Sequence, residues 1–300
     1  MKHTGIILLY LASLFGAAGL GGCIREAGSE CPVTAHLLIV SSYDADNKEI
    51  TGSGAVREVA LYVFDAKDAY VETISCKENE RVRLPYAVGS RITVVGWGNS
   101  RSDLQKMPAL TVGTSLEKAL VMLLPAPTRA AESRSLSPDD LFFGTAALTL
   151  ADDPQHPQIL HSLPVKRKTS SMSIVVKGIR SWLGVSDNDF SFSVRGTFAA
   201  LDFNGKPAGD PTSYDPAVTP DKDGSFVTGI FKTFPSGDSP VSVDIYHGAE
   251  RVYTVSIGQD GKALTLPEGR LVNVLVDFTG NARVSISVTE WGKADINQEF

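Results

Sequence analysis

The sequence predicts an all-β protein of two domains behind a cleavable leader. Its 300 residues divide into about two domains at roughly 150 residues each. Short runs rich in Val, Ile, Phe and Tyr recur between turn residues along nearly the whole chain. Sustained helical periodicity is scarce, and many short strands with little helix mean sandwiches or barrels.

The leader comes first. Met1–Thr4 is a short start carrying Lys2, and Gly5 to Leu20 is apolar or small throughout. That run reads as a signal-peptide h-region, a little short for a membrane span of about 20 residues. Leu20-Gly21-Gly22-Cys23 then resembles the bacterial lipobox. The expectation is a signal peptide over 1–22, cleavage between Gly22 and Cys23, and lipid on the Cys23 thiol. Several acyl chains on one residue give stable anchoring, where one chain is marginal. The competing reading is an ordinary secretory signal beside a coincidental cysteine.

Residues 23–31 are polar and small, a lipidated tether ahead of the fold. Cys31 and Cys76 then sit in an oxidising compartment. They could form one disulfide or remain two thiols, because spacing does not show whether their Cα atoms come within reach. Two cysteines without a nearby His do not make a metal site.

The expected N-terminal sandwich covers 32–166. His36–Val40 is its first strand, followed by Glu58–Phe64, where Val59, Leu61 and Val63 share one face and Tyr62 and Phe64 the other. Arg91–Trp97 comes next. Apolar residues on both faces suit strands between two layers. Ser115–Leu124 is the best helix candidate. Residues 125–140, dominated by Pro, Ser and Asp, read as an exposed loop. Leu141–Gly144 and Ala147–Leu150 resume strand character, and 152–156 is a turn.

A basic, hinge-like stretch, Pro164–Thr169, places the domain boundary near residue 166. The C-terminal sandwich, 167–300, then runs through strands at Ser171–Ile179, Asp189–Phe203, Ser225–Phe231, Val241–Tyr246, Arg251–Ile257 and Leu271–Phe278. In Phe190–Val194 the apolar residues alternate, so one face is expected to be wet. Val284–Thr289 is the cleanest case, with Val284, Ile286 and Val288 on one face and three hydroxyls on the other. Turn signals separate these runs at Asn204-Gly205, Asp223-Gly224, Asp260-Gly261 and Gly280-Asn281.

Composition narrows the function classes. A formal net charge of −6 argues against a nucleic-acid binder, which needs a basic stripe. With 43% hydrophobic and 21% charged residues the chain is globular rather than disordered. The sequence holds no G-x-S-x-G elbow, no H-E-x-x-H and no Walker lysine loop. Asp221–Ser225 begins like a calcium loop, but Phe226 and Lys232 stand where such a loop needs Gly and a bidentate Glu. Asp139-Asp140 and Asp152-Asp153 are neighbours in loops, and a glycosidase needs carboxyls facing across a cleft. His156 and His161 flank a turn and read as solvated. Trp97 and Trp182 suit either a sandwich core or a sugar platform, and Lys166-Arg167-Lys168 either a solvated hinge or a contact with acidic lipid or a partner. No catalytic residue, metal site or cofactor is expected beyond the covalent lipid on Cys23.

The mature chain resembles the FimB-type fimbrial anchor subunits of Bacteroidales, lipoproteins at the base of type V fimbriae. The residues that carry the likeness are Cys31-Pro32, Val59–Asp65 (VALYVFD), Ile92–Asn99 (ITVVGWGN), Leu141–Gly144 (LFFG), Val165–Val176 (VKRKTSSMSIVV), Leu271–Phe278 and Val284–Trp291 (VSISVTEW). Each block alone is largely strand pattern; their order and the lipobox together make the resemblance.

The resemblance implies two transthyretin-like β-sandwiches in tandem, no enzyme activity, and a place on the cell outer membrane at the base of a fimbrium whose length the protein limits. Its implied partners are fimbrial shaft subunits, accessory subunits and the outer membrane through lipid. In polymerising subunits of such fimbriae an arginine-specific protease removes the first strand, and a neighbour's strand fills the groove. Strand addition of this kind draws affinity from main-chain hydrogen bonds. Here no Arg lies between His36 and Lys48; Arg25 precedes the strand and Arg57 lies well beyond it. A chain that keeps its first strand could donate a strand but not accept one. The segment Arg283–Phe300, with Val284, Ile286 and Val288, is either the strand-exchange segment that joins the shaft or the plain closing strand of the second sandwich, and could be both in different states. The alternative is a fimbrial tip or surface adhesin lipoprotein that binds a host protein or glycan, and cleavage at Arg25 or Arg57 would favour it.

Overall fold

The computed structural model describes residues 34–127 and 133–291. In chain order its strands are β1 Ala35–Tyr43, β2 Val59–Phe64, β3 Tyr70–Cys76, β4 Arg81–Leu84, β5 Arg91–Gly98, β6 Gln105–Lys106, β7 Leu120–Leu123, β8 Phe142–Thr149, β9 Gln158–Arg167 and β10 Ser170–Lys177. After one short helix, α1 Ile179–Leu183, come β11 Phe190–Asp202, β12 Pro207–Tyr214, β13 Val218–Pro220, β14 Phe226–Thr228, β15 Phe231–Thr233, β16 Ser242–His247, β17 Glu250–Val255, β18 Arg270–Asp277 and β19 Arg283–Glu290. The all-β expectation stands.

Three sheets are built from these strands. The first runs β3-β2-β5-β8-β9-β1-β4. The second runs β13-β14-β10-β18-β19, with β15 also on β10, and the third runs β17-β16-β11-β7-β6, with β12 also on β11.

The first sheet curls around its own core. Val59, Leu61 and Val63 of β2 meet Leu38 and Val40 of β1 and Leu163 and Val165 of β9 in one apolar cluster. Close approach is the reason for Gly96: a Cβ there would lie 2.8 Å from the Leu163 side chain. The second and third sheets face each other over a larger cluster, with Met172, Ile174, Val176, Val272, Val274 and Val276 on one side and Phe192, Val194, Val243 and Ile245 on the other.

The strand β2 is buried along its whole length. Period-two alternation sends its odd residues into the first core and Ala60, Tyr62 and Phe64 into the second. Phe203 is the hub there: its ring centroid lies 4.9 Å from Tyr62, 5.9 Å from Trp97 and 6.1 Å from Phe64. Trp97 is fully buried, so it is core and not a sugar platform.

Several local expectations are corrected. Ser115–Leu124 is not a helix: only Leu116–Lys118 makes a 3-10 turn, and Leu120–Leu123 is β7. Val121 and Leu123 point inward while Met122 is exposed, so pairing with β11 and β6 overrides weak helical propensity. Leu141–Gly144 and Ala147–Leu150 belong largely to one strand, and Ser225–Phe231 divides into β14 and β15 at Gly229-Ile230. Ser193 is buried and donates to Asp215 Oδ1 at 2.8 Å, so only Ser191 keeps that face of β11 wet. The exposed loop expected over 125–140 is partly ordered: Ser135 N donates to Ser213 O at 2.9 Å and Leu136 N to Leu124 O at 2.8 Å.

The sheets change hands where β9 ends at Arg167 and β10 begins at Ser170. The division into 32–166 and 167–300 is nevertheless not clean in the sheets. Strands β6 and β7 come from the first half and extend the sheet of β11 in the second.

The basic stretch is a joint, not a solvated hinge. Arg167 and Lys168 are buried, and only Lys166 of the three is exposed. Arg167 Nε donates to Asp140 Oδ1 at 2.9 Å, and its guanidinium lies 4.9 Å from the Phe142 ring and 4.5 Å from the Trp291 ring. Lys168 pairs with Glu268, and Arg270 with Asp46 at 2.5 Å. Burial pushes the Asp140 carboxyl upward in pKa against the pull of Arg167.

Candidate functional site

Gly22, Cys23 and Cys31 lie outside the described residues. Cys76 is on β3, buried in the first core, with no disulfide partner among the described residues. Burial pushes its thiol pKa up to about 11.

The most complete feature is the slot that holds the first strand. Strand β1 lies between two neighbours: Ala35–Tyr43 runs parallel to Gln158–Lys166 of β9, and His36–Ile39 pairs antiparallel with Arg81–Leu84 of β4. Burial alternates along it, and Leu38 and Val40 are fully buried. Full burial of each such side chain is worth about 1.5–3 kcal/mol.

Both ends of β1 are tied down. At its start Thr34 Oγ1 donates to Asp152 Oδ1 at 2.9 Å, and Asp153 N donates back to Thr34 Oγ1 at 2.9 Å. At its end Ser42 Oγ donates to Glu78 Oε2 at 2.7 Å, and Gly52 N donates to the other Glu78 oxygen at 2.7 Å. Asp44 Oδ1 then closes the turn by accepting from Asp46 N and Lys48 N, each at 2.9 Å.

A histidine pair joins β1 to β9. His36 Nδ1 and His161 Nε2 are 2.9 Å apart, and the rings stack with centroids 5.2 Å apart. His161 is therefore not a solvated loop residue; β9 extends through it. Burial first, then the neighbouring His36, depress its pKa. His156 does lie in the turn, exposed and bonded to Asp153 at 2.8 Å.

The other proposed segment is β19. It pairs with β18 along its whole length, Arg270↔Glu290 through Asp277↔Arg283, and among the described residues pairs with no other strand. Val284 and Ile286 are half-buried and Val288 is 53% exposed. These three lie on the core-facing side of the sheet but overhang its border. Gln259 N donates to Val284 O at 3.0 Å, which ties the start of β19 to a neighbouring loop.

A third surface was not legible in the sequence. Leu104, Leu136 and Ile230 are all partly exposed and line one groove of about 510 Å³ with Tyr214 and Phe231. They come from three separate loops, so no local pattern links them.

The acidic pairs are structural. Asp139 pairs with Arg57 and Asp140 with Arg167. Asp221 Oδ1 accepts from Asp223 N at 2.9 Å and Ser225 N at 2.8 Å, which makes a tight turn of that loop. Trp182 is 45% exposed and stacks on Phe278 at 4.5 Å. No group of three metal-ligating side chains converges among the described residues.

The geometry is that of a first strand held on both flanks. The family model described as fimbrillin-A associated anchor proteins Mfa1 and Mfa2 matches residues 28–297. The chain belongs to this anchor-protein family. Among its relatives, the major fimbrium anchoring subunit FimB of Porphyromonas gingivalis is 25% identical over 312 residues, covering 99% of this chain and 96% of that one. Two solved structures share the anchor-family fold. The fimbrial anchor protein Mfa2 of P. gingivalis gives a TM-score of 0.64 at 12% identity, over 86% of this chain and 98% of its own. A candidate adhesin of Bacteroides ovatus gives 0.64 at 18% identity, over 89% and 96%.

Proposed function

We propose that this chain is a non-enzymatic lipoprotein of the outer membrane that anchors a fimbrium and limits its elongation. Lipid on Cys23 holds one end of the protein at the membrane. The observation that carries the reading is β1, paired on both flanks and buried at Leu38 and Val40, with no Arg between His36 and Lys48. A subunit whose first strand stays in place has no vacant groove to accept the next subunit's strand. It can still donate one, and the Arg283–Phe300 segment is the donor in this reading. The three sheets between Cys23 and the C-terminal segment act as the spacer between lipid and shaft.

The test is Cys23→Ala in cells that make the fimbrium. Fimbriae are expected in the medium instead of on the cell, and retention at the wild-type level overturns the anchoring claim. Deleting 283–300 in a lipidated chain is expected to release the shaft while leaving the protein in the membrane. A second reading, an adhesin that binds a host protein or glycan, is favoured by the apolar groove at Leu104, Leu136 and Ile230. It predicts that Leu136→Asp abolishes adhesion and leaves fimbrial length unchanged.

A further inference from the structure

Strand β1 has a second face, turned away from the core that holds Leu38 and Val40. Register sets its residues in rows across three neighbouring strands. Leu37 stands between Arg83 of β4 and Leu160 of β9, and Ile39 between Arg81 and Ser162. At the far end of β1, Tyr43 is aligned with Lys166. Neighbouring strands lie about 4.8 Å apart, so each three-strand row is about 10 Å wide.

This face joins apolar and basic groups. Leu160 is 51% exposed, Leu37 and Ile39 are partly exposed, and none of the three belongs to either apolar cluster. Arg81 and Arg83 are exposed on β4, at the border of the sheet. Neither makes an ion pair or a side-chain hydrogen bond among the described residues. Lys166 Nζ donates to the neutral Asn47 at 2.5 Å, a bond that leaves its charge in place. No Asp or Glu stands at an outward position of β1, β4 or β9, although the chain carries 34 acidic residues against 28 basic ones. Glu49, Glu80 and Asp152 lie in the connecting segments.

We propose that this face lies on the head groups of an anionic phospholipid bilayer, with Arg81, Arg83 and Lys166 on the phosphates and Leu37, Ile39 and Leu160 against the acyl boundary. Position argues for a membrane over a protein partner. The ten residues 24–33 span at most about 35 Å, so lipid on Cys23 keeps the start of β1 within that distance of the bilayer. The chemistry fits the same partner. An arginine lays its apolar stem along hydrocarbon while its guanidinium reaches a phosphate. A basic patch beside an acyl anchor is a second membrane signal, additive with the first. Two signals on one side of the first sheet hold that sheet flat on the membrane, where the anchor alone lets it swing on the tether. The inference rests on the lipid reading of Cys23 and goes beyond it by assigning a folded surface to the bilayer.

The test attaches the lipid chemically, so it reads the face whether or not cells acylate Cys23. The mature chain 23–300 with Cys31→Ser is coupled through Cys23 to a maleimide phospholipid in vesicles of phosphatidylcholine and phosphatidylglycerol. Hydroxyl-radical footprinting with mass spectrometry then measures side-chain oxidation. Oxidation of Leu37 and Leu160 is expected to fall at least about threefold relative to the uncoupled chain, and to recover in high salt or with Arg81→Glu plus Arg83→Glu. Val112, 80% exposed in another loop, is the control and should not change. Unchanged oxidation of Leu160 overturns the proposal. Equal protection on phosphatidylcholine alone also overturns it, because the arginines would then play no part. So does protection that grows with protein density at fixed lipid composition, which would assign the face to a second copy. Both arginines are exposed, so the double variant should keep the wild-type unfolding midpoint; if it fails to fold, the salt titration of the unmodified face decides alone. Absence of acyl chains on Cys23 in cells would refute the lipid reading and leave this footprint unchanged.

Discussion

Leu38→Ala is the sharpest probe of the first strand. Leu38 is fully buried at the centre of β1, between β9 and β4, in a core that also holds Val40, Leu61 and Leu163. The substitution removes three carbons, worth about 2.4 kcal/mol at about 0.8 kcal/mol each. The site is walled by paired strands on both flanks, so it cannot collapse freely, and the residual cavity raises the expected cost to about 3–4 kcal/mol. Leu37 is the control: it points to the other side of β1 and is only half-buried, so Leu37→Ala is expected to cost about 1 kcal/mol. Urea unfolding of both variants, with the slope checked for constancy, reads the difference directly. The two proteins should differ by about 2 kcal/mol or more. If Leu38→Ala costs no more than Leu37→Ala, then β1 is not an integral core strand, and the reasoning that it fills its own slot fails.

Three further predictions follow from the same geometry. Because His161 is depressed in pKa by burial and by His36, its stabilising contribution is full above the ordinary value near 6.5 and is lost as pH falls below it toward the depressed value. The urea midpoint should therefore fall between pH 7.5 and 5.5, and His161→Gln should flatten that fall; an equal slope in both proteins refutes it. Gly144→Ala would put a Cβ 2.1 Å from the Pro164 carbonyl oxygen, so it should cost about 3 kcal/mol or more or prevent folding, as thermal unfolding or soluble yield would show. Arg167→Ala leaves the half-buried Asp140 carboxylate without its partner and should cost about 2–3 kcal/mol, whereas Arg167→Met with Asp140→Asn should recover much of that loss; equal unfolding midpoints for the two variants contradict the ion-pair account.

Much of the fold is legible in the sequence because period-two alternation is a local signal. Val59–Phe64 declares both of its faces, and Arg91–Trp97 and Leu271–Phe278 do nearly the same. What local pattern misses is decided by distant partners. Gln158–Arg167 hides a ten-residue strand because His161 and Pro164 interrupt its apolar pattern, and only pairing with β1 reveals it. Leu120–Leu123 reads as helix until β11 claims it. The basic triplet looks solvated because the aromatic rings and carboxylates that bury it come from Asp140, Phe142, Glu268 and Trp291. The first-strand half of the candidate site was readable from His36–Val40 and the missing arginine. The groove at Leu104, Leu136 and Ile230 was not, since its walls are assembled from separate loops.

The central claim is that the chain keeps both its lipid and its first strand. Intact mass spectrometry of the protein extracted from the envelope of cells that make it tests both at once. The account predicts a mass equal to residues 23–300 plus acyl chains. An unlipidated mass beginning after Arg25 or Arg57 would contradict it, and cleavage after Arg57 would also mean that the β1 slot had been opened for another strand.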